Sequence, residues 1–569
     1  MRVSMRRTTL IVIGVLNGII IFLNYRAMSN ESRQRSKDFI RSRFDYVKNL
    51  VHSQGQDDAD YAIHEQKHKK PLVWSEIEGI HKALPAYEKM RRVLSNLQDY
   101  KRYFYREAVY FDINGEMLRY KSVPNVGDSD HLRALFADVL QTNRSLRIGV
   151  IGGALSYHNV CLKKSCVYID IVVNWLKSML DTKVILHNAA IGTTSSDYFA
   201  WCLKPHLDVD NMDIIIWELS TEDYINRDVY FKRGLTNAGW PQEEITHRIL
   251  DLPKKPYLMY FNFLSTANIR QRDCVNSEYF SGRHLAKHYN VTSISWCNAI
   301  CTKLWKPGFT PDDLIYADEL LSERAHQQGA LFIIHYLRTI LEELTVNFLN
   351  KTHHDERYIQ HLIGLHDDFV QNTYGLNSEP IRTTIKSRTD LNKIIPKFSH
   401  VELKDPQCWP ISKPQYEHNH SLEVTMNEGW ELGYSYNENW YMSTEPNQRI
   451  TFRINIPQHR QNLNATIAVA LITCNYCGQA LVWLNDQFGD AKLINGNDKK
   501  HKFSVRKMFT GVLPGGYAVT VKNMEERPVK IGAVMMSYEE PRNGTQFIRR
   551  NVEQFGGPKM WNKLKGPSL

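Results

Sequence analysis

The segment Arg147-Ile-Gly-Val-Ile-Gly-Gly-Ala-Leu-Ser156 decides the fold of this chain. Its apolar residues Ile148–Ile151 are typical of a buried β-strand, and the paired glycines that follow predict a tight turn into a helix. Further strand patterns follow at Val184–Leu186, Ile214–Leu219, Tyr257–Phe261 and Val291–Ser293. Helical patterns separate them at Val167–Leu180, Ser195–Leu203, Tyr279–Tyr289 and Ser322–Leu344. This alternation predicts an α/β domain built on a doubly wound parallel sheet.

The periodicity changes from helical to two beyond Cys408. Strand patterns then lie at Thr451–Ile456, Thr466–Thr473, Ala480–Leu484, Tyr517–Val521 and Val529–Met536. The pairs Asn495-Gly496 and Gly515-Gly516 are typical hairpin turns. The C-terminal part is therefore predicted to be an all-β sandwich.

These patterns divide the chain into seven parts. The amino-terminal helical patterns are Trp74–Arg106 and Asp130–Leu140. The predicted parts are a cytoplasmic tip with a signal-anchor helix (1–26), a stem (27–70), a helical preamble (71–145), the α/β domain (146–349), a connector (350–404), the β-sandwich (405–541) and a tail (542–569).

Three segments of the α/β part carry a family resemblance. Arg147–Ser156, Asn188–Leu203 and Asp213–Tyr224 resemble, in order and spacing, blocks I, II and III of the SGNH/GDSL hydrolases. The match is to the fungal-type, capsule-associated branch, whose members carry an appended C-terminal domain. This resemblance implies a flavodoxin-like αβα sandwich and an acylated polysaccharide as substrate. It also places the family serine at Ala154, glycine at Gly192 and asparagine at Glu222.

Ester hydrolysis by this family needs a nucleophile, a histidine base and neutral oxyanion donors. Ala154 has no nucleophilic atom, and an ionised Glu222 would bring negative charge where the oxyanion forms. The family's late D-x-x-H motif resembles the segment that begins at Tyr316. Asp318 then matches the acid, but the base position falls on Leu320 or Leu321.

Two functions therefore remain open, and with them whether the chain is an enzyme. In the first, a degenerate pocket binds a glycan or a partner protein without catalysis. In the second, a carbohydrate O-acyl esterase or O-acetyltransferase uses a rewired site with Ser156, Asp318 and either His158 or His326. The structural alternatives are a capping role for Ser156 and a packed or solvated role for each histidine.

Block III spacing also predicts where Glu222 lies. The buried strand Ile214–Leu219 should deliver it to the mouth of the pocket, beside Ala154 and Gly192. There its carboxylate would accept the N–H groups that otherwise meet an oxyanion, and its pKa would be perturbed. The alternative is a solvated loop glutamate.

A group of aromatic residues opens the C-terminal domain. Their side chains either stack on sugars or form the core and rim of the sandwich. The group consists of Trp430, Tyr434, Tyr436, Trp440 and Tyr441.

The first residues predict the compartment. Arg2, Arg6 and Arg7 precede an apolar run, Thr8–Leu23, whose length of about 24 Å suffices for a thin bilayer. Positive charge before the run favours a cytoplasmic N-terminus, hence a single-pass type II protein facing the ER or Golgi lumen. The alternative is a signal peptide cleaved near Ala27-Met28-Ser29, which would give a secreted or cell-surface protein.

Sequons and cysteines fit this route. Six N-x-S/T sequons are predicted glycosylation sites: Asn143, Asn290, Asn350, Asn419, Asn464 and Asn543. Cys161 and Cys166 are predicted to form a local disulfide. Two other close pairs, Cys297 with Cys301 and Cys474 with Cys477, leave Cys202, Cys274 and Cys408, so at least one thiol stays unpaired.

Composition excludes several classes of function. The net charge of +10 is spread along 569 residues, and no basic block is interleaved with aromatics, so nucleic acid is not an expected partner. No second CxxC or nearby histidine pair completes a zinc site. Neither a metal nor a cofactor is predicted.

Overall fold

The computed structural model describes residues 74–157, 166–224, 240–304, 306, 310–317, 320–351, 403–411, 422–435 and 438–538. The described residues from Ala83 onward belong to one compact unit. The predicted anchor, stem and tail lie outside the described residues, as does the connector except for its first two residues and its last two. Within the part that the structure describes, no helix is long and apolar enough to cross a membrane.

The centre of the fold is a five-stranded parallel sheet in the order β2-β1-β3-β4-β5. This is the doubly wound order in which ligands bind at the carboxyl ends of the strands, where the order reverses. The five predicted strands are confirmed. They are β1 (Leu146–Gly152), β2 (Val184–Asn188), β3 (Ile214–Glu218), β4 (Tyr257–Asn262) and β5 (Thr292–Ser295).

Helices cover both faces of the sheet. They are α1 (Trp74–Tyr110), α2 (Ser129–Thr142), α3 (Tyr168–Leu180), α4 (Ser196–His206), α5 (Trp240–Leu250), α6 (Thr266–Arg270), α7 (Arg283–His288), α8 (Trp296–Leu304) and α9 (Glu323–Lys351). Alternate strand residues enter two cores: Val150 and Ile216 pack with α3 and α9, whereas Ile151 and Trp217 pack with α4. The sequence patterns missed α5, α6 and α8.

The C-terminal part is an antiparallel β-sandwich, as predicted. One sheet has the order β10-β11-β18-β13-β16 with β8 paired to β18, and the other has the order β15-β14-β17-β12-β9. Its strands are β8 (Lys404–Pro410), β9 (Glu423–Asn427), β10 (Glu431–Ser435), β11 (Glu438–Ser443), β12 (Arg449–Ile456), β13 (Ala465–Thr473), β14 (Gln479–Leu484), β15 (Lys492–Asn495), β16 (Lys502–Val512), β17 (Gly515–Asn523) and β18 (Val529–Tyr538). A separate two-stranded ribbon joins β6 (Ile315–Ala317) to β7 (Leu320–Leu321).

The sandwich shares a core with the α/β part. Every residue of β13 is buried, because its two faces meet different partners. Val469 and Leu471 point into the sandwich, whereas Ala468 and Ala470 belong to the core that contains α4. Alanine on the outer face lets the helix lie close to the sheet. A disulfide between Cys202 of α4 and Cys408 of β8 crosslinks the same interface.

Candidate functional site

The turn after β1 is shaped by two glycines. A Cβ on Gly152 would lie 2.5 Å from the Cβ of Ser156, and one on Gly153 would lie 2.2 Å from a carboxylate oxygen of Glu222. Such separations are far below van der Waals contact, so a Cβ on Gly152 would force Ser156 to shift and a Cβ on Gly153 would displace the Glu222 carboxylate. Residues Ala154–Ser156 then form one 3-10 turn. This close approach brings the block I loop against the end of β3.

Glu222 lies at this turn, beside Ala154 as the block III spacing predicts. The N–H of Ala154 donates to Oε1 of Glu222 over 3.1 Å, and the hydroxyl of Thr221 donates to Oε2. The residue is 7% exposed, and burial raises the pKa of its carboxyl group. Glu222 is therefore not a solvated loop residue, and its oxygen holds the N–H that a family enzyme would offer to an oxyanion.

Ser156 lies below the turn and is fully buried. Its hydroxyl donates to Oε2 of Glu218 over 2.9 Å and lies 2.9 Å from the hydroxyl of Tyr168. Glu218 is also fully buried, and its other oxygen has no partner among the described residues. Burial and the neighbouring Glu222 raise the pKa of Glu218. These contacts favour a structural role for Ser156, because its hydroxyl is held between two buried side chains and does not reach solvent.

The block II loop is held from both sides. On the sheet side, the N–H of Ile191 donates to the carbonyl of Gly152 over 3.0 Å, and Gly192 follows it, buried. On the sandwich side, the Thr193 hydroxyl donates to Oε1 of Glu438 over 2.7 Å, and the Phe503 N–H donates to the Thr193 carbonyl over 3.1 Å. Residues of the sandwich therefore contact the block II loop directly.

Asp223 anchors the helix that begins within block II. Its two oxygens accept the N–H of Ser196 over 2.8 Å and the hydroxyl of Ser196 over 2.6 Å. Ser196 begins α4, so the carboxylate satisfies a backbone donor that no helical carbonyl reaches. Burial raises the pKa of Asp223 to about 7.

The histidine expected as a substitute base does not contact the serine. His326 is fully buried, and neither ring nitrogen has a hydrogen-bond partner among the described residues. Its ring stacks at 6.4 Å on that of Tyr168, with 4° between the planes, and Phe263 meets it edge-on at 5.8 Å. Burial lowers its pKa to about 4. Asp318 and His158 lie outside the described residues, so the structure places only Ser156 and His326 of the predicted rewired site.

The site as described offers no complete acyl-transfer machinery. Its buried serine faces a carboxylate, its histidine faces aromatic rings, and one of its backbone donors is already paired to Glu222. Among the described residues, no three His, Cys, Asp or Glu side chains are grouped to hold a metal ion. Sequence reasoning missed Glu218, although it ends the strand that precedes Glu222, and it missed Glu438, which no local pattern connects to block II.

The aromatic residues at the start of the sandwich differ in how exposed their side chains are. Trp430 and Trp440 are 4% and 7% exposed, whereas Tyr434 is 83% exposed. Tyr441 packs partly buried against the sandwich core, and Tyr436 lies outside the described residues. The two tryptophans are therefore structural, and Tyr434 alone of the described four presents most of its side chain to solvent.

The disulfides among the described residues bear on the secretory prediction. Cys166 is disulfide-bonded, whereas its predicted partner Cys161 lies outside the described residues. The pair Cys474–Cys477 is confirmed. The expected pair of Cys297 with Cys301 is wrong, because Cys301 bonds to Cys274 and Cys297 is a buried thiol.

The predicted glycosylation sites differ in exposure. Asn143 and Asn464 are exposed and Asn290 is half-buried. The side-chain oxygen of Asn143 accepts from Lys89 over 2.5 Å. The side chains of Asn350, Asn419 and Asn543 are not among those described. Glycosylation remains a prediction at all six positions.

Comparison with known proteins supports the fold. No protein-family model and no curated protein sequence matches the chain. A two-domain esterase (CEX) active on acetylated mannans has a similar structure, with a TM-score of 0.50 and 15% identity, over 74% of this chain and 98% of that one. A CEX structure with mannopentaose gives 0.45 at 15% identity over the same shares.

A carbohydrate-binding module is also among the similar structures. The C-terminal module CBM6 of a laminarinase from Zobellia galactanivorans has a TM-score of 0.18 and 9% identity, over 23% of this chain and 99% of that one. Of these three comparisons, the esterase at 0.50 establishes a shared architecture: a parallel sheet with helices followed by a β-sandwich. The fold is esterase-like.

Proposed function

We propose that this chain is an SGNH hydrolase-like protein of the secretory pathway whose pocket binds a glycan or a protein partner without catalysing ester hydrolysis. The observation that carries the proposal is the 3.1 Å hydrogen bond from the Ala154 N–H to the Glu222 carboxylate. In the family that the three blocks resemble, this N–H and an asparagine at position 222 stabilise the oxyanion. In this chain, the Ala154 N–H is instead accepted by the carboxylate of Glu222.

The energetic consequence is large. Losing one oxyanion donor costs about 3–4 kcal/mol of transition-state stabilisation. In this pocket the Ala154 donor is occupied and the amide at position 222 is absent, while Ala154 supplies no nucleophile. Binding needs none of these groups. It needs a surface that a ligand can reach, and Ala154 and Thr193 at this site are half-buried rather than fully buried.

The second candidate, a carbohydrate O-acyl esterase or O-acetyltransferase with a rewired site, requires an accessible Ser156. Its hydroxyl is fully buried and bound to Glu218 and Tyr168, so a substrate carbonyl would have to displace both contacts. The esterase-like fold favours this candidate, whereas the contacts of Ser156 favour the non-catalytic one.

Catalysis is tested on the full-length glycosylated chain with an acetyl-ester chromogen and a fluorophosphonate probe. We expect turnover equal to that of a Ser156→Ala control, and no serine labelling. Ala154→Ser should also stay inactive, because the base and the third donor are absent and triad members act as a unit. Ser156-dependent turnover and labelling would establish the esterase instead.

Binding is tested by affinity electrophoresis of the same chain in acetylated and deacetylated mannan gels, since the similar esterase acts on acetylated mannans. Ala154→Leu, which enlarges the half-buried side chain at the block I turn, should abolish retardation. Ala491→Leu, on another half-buried alanine in the sandwich, should not. Retardation that survives Ala154→Leu would place the glycan site elsewhere, and no retardation by either gel would favour a protein partner.

The proposed single-pass topology rests on the N-terminal charge pattern. The protein should remain in membranes after carbonate extraction and shrink on deglycosylation. A carbonate-soluble but glycosylated product would support the cleaved signal peptide, and an unglycosylated cytosolic product would contradict the secretory route.

A further inference from the structure

Three cysteines meet on one side of the α/β part, away from the contacts of the candidate pocket. Cys274 and Cys301 form a disulfide, and Cys297 is a free, fully buried thiol. The sulfur of Cys297 lies 4.0 Å from the sulfur of Cys301 and 3.8 Å from the carbonyl oxygen of Cys274. A free thiol therefore contacts one named sulfur of an existing disulfide.

Cys301 has two possible partners in this cluster. Cys297 and Cys301 both lie in α8, four residues apart, so their Cα atoms are separated by about 6 Å along the helix. That separation is within the range that a disulfide spans. The observed pair, Cys274 with Cys301, has a Cα separation of 5.7 Å. The Cβ atoms of residues four apart in an α-helix lie about 5–6 Å apart, farther than the roughly 3.5–4.5 Å that a disulfide needs. The second pairing therefore requires a local distortion of α8 between Cys297 and Cys301.

We propose that Cys274, Cys297 and Cys301 form an intramolecular thiol–disulfide exchange centre. The Cys297 thiolate attacks Sγ of Cys301, the sulfur that it contacts. A Cys297–Cys301 bond forms as the Cys274–Cys301 bond breaks, and the electron pair passes to the Cys274 sulfur. That sulfur takes up the proton that Cys297 released, so the step needs no external oxidant or reductant.

Exchange changes which segment is tied to α8. The present bond fixes the segment around Cys274, in which the Asn276 amide donates to the Phe263 carbonyl over 2.8 Å. The N–H of Phe263 in turn donates to the hydroxyl of Ser220 over 3.0 Å, two residues before Glu222. Release of Cys274 therefore loosens a chain of contacts that ends beside block III.

Burial controls the rate of this exchange. Burial raises the pKa of the Cys297 thiol, Glu278 and Asp273 raise it further, and Arg283 acts in the opposite direction. Only the thiolate attacks, so the rate should increase about tenfold per pH unit below the thiol pKa. The two thiols also differ in access: Cys297 is fully buried, whereas Cys274 is half-buried. An alkylating reagent should therefore trap the product thiol at Cys274.

The first test is alkylation of the folded full-length chain with excess N-ethylmaleimide between pH 7 and pH 9, followed by peptide mapping. We expect label on Cys274, at a rate that rises with pH, together with a Cys297–Cys301 disulfide. In Cys297→Ser, Cys274 should remain unlabelled. Label that appears only on Cys297 in the wild type, at every pH, would overturn the proposal.

The second test does not depend on the exchange rate. In Cys274→Ser, refolded in the redox buffer used for the wild type, Cys297 and Cys301 should pair and take up no label after denaturation. The Cys474–Cys477 disulfide reports that the oxidising conditions were sufficient. Two alkylated cysteines in α8 beside an intact Cys474–Cys477 bond would show that the second pairing does not form.

Discussion

Two buried carboxylates contact the loops that a family hydrolase would use to hold an oxyanion, and they do so in different ways. Glu222 receives the N–H of Ala154, 68 residues away and within the same α/β part. Glu438 receives the hydroxyl of Thr193, 245 residues away, from the sandwich. The carboxylate that contacts block I therefore comes from the same domain, whereas the carboxylate that contacts block II comes from the sandwich.

The difference separates a contact made within the α/β part from a contact made between the two domains. The Glu222 contact needs only the strand end of β3 and the glycine turn, so an α/β part without the sandwich would retain it. The hydrogen bond between Thr193 and Glu438 breaks if the sandwich moves away, and the block II loop then loses one of its contacts. The following predictions test whether these two contacts are independent.

The largest effect should come from the crosslink at the interface. Cys202→Ser/Cys408→Ser opens a disulfide that spans 206 residues, and the chain-entropy model puts its contribution at about 5 kcal/mol. The matched control, Cys474→Ser/Cys477→Ser, opens a bond that spans 3 residues, worth about 2 kcal/mol in the same model. Urea unfolding of both variants measures the difference. Equal losses would mean that packing alone holds the sandwich against α4.

The second effect is a pH dependence that belongs to Glu438. Burial raises its pKa to about 8 from 4.5, while the Thr193 hydroxyl and Lys530 act in the opposite direction. Between these two pKa values, the folded chain therefore keeps a proton that the unfolded chain loses. The stabilisation of the folded chain by this proton is complete below about pH 4.5 and is lost as the pH rises to about 8. The loss amounts to at most about 1.4 kcal/mol per pH unit.

Glu438→Gln keeps an oxygen that can accept the Thr193 hydroxyl but does not titrate. Its stability relative to the wild type should rise between pH 5 and pH 7, by up to about 3 kcal/mol in urea unfolding. Asp223, Glu218 and Glu222 also have raised pKa values, but they titrate in both proteins and cancel in the difference. A difference that is constant over this range would show that Glu438 is ionised in the folded chain.

The sequence predicted the α/β fold well because each buried strand is a short apolar run with a turn signal after it. The sandwich was harder. The longest strand, β16 (Lys502–Val512), was missed because Lys502, Arg506 and Lys507 interrupt its apolar pattern. β13 carried an overlooked signal: its residues are apolar on both faces, with alanines alternating with larger residues. That pattern indicates a strand covered on both sides, and hence an interface.

The site was predictable only where its contacts are local. The spacing of blocks I and III indicated the approach of Glu222 to Ala154, since adjacent parallel strands bring their ends together. The spacing gave no information on the partner of Ser156, because nothing in the sequence distinguishes Glu218 from a polar residue that simply ends a strand. The contact between Thr193 and Glu438 depends on how two domains pack, and no sequence pattern within either domain specifies that arrangement.

The third prediction concerns Gly153, where a Cβ would meet the Glu222 carboxylate. Gly153→Ala should displace that carboxylate from Ala154 and lower the free energy of unfolding by about 1–3 kcal/mol. In a double-mutant cycle, Glu222→Ala should remove most of this cost. Gly489→Ala is the control, because a Cβ there meets nothing within 4 Å. If Gly153→Ala lowers the free energy of unfolding by the same amount in the Glu222→Ala background, the glycine is required only by the backbone turn.

The smallest effect should come from the hydroxyl of Thr193. Thr193→Val preserves shape but leaves Oε1 of Glu438 without its 2.7 Å donor, which should cost about 1 kcal/mol. The cost should grow above pH 8, where Glu438 ionises, because a buried carboxylate depends more on its donor than a protonated acid does. Thr425→Val, at an exposed position of β9, should change stability by less than about 0.5 kcal/mol. If Thr193→Val also weakens the Ala154–Glu222 contact, seen as a reduced coupling between Gly153→Ala and Glu222→Ala, the two carboxylates do not act independently.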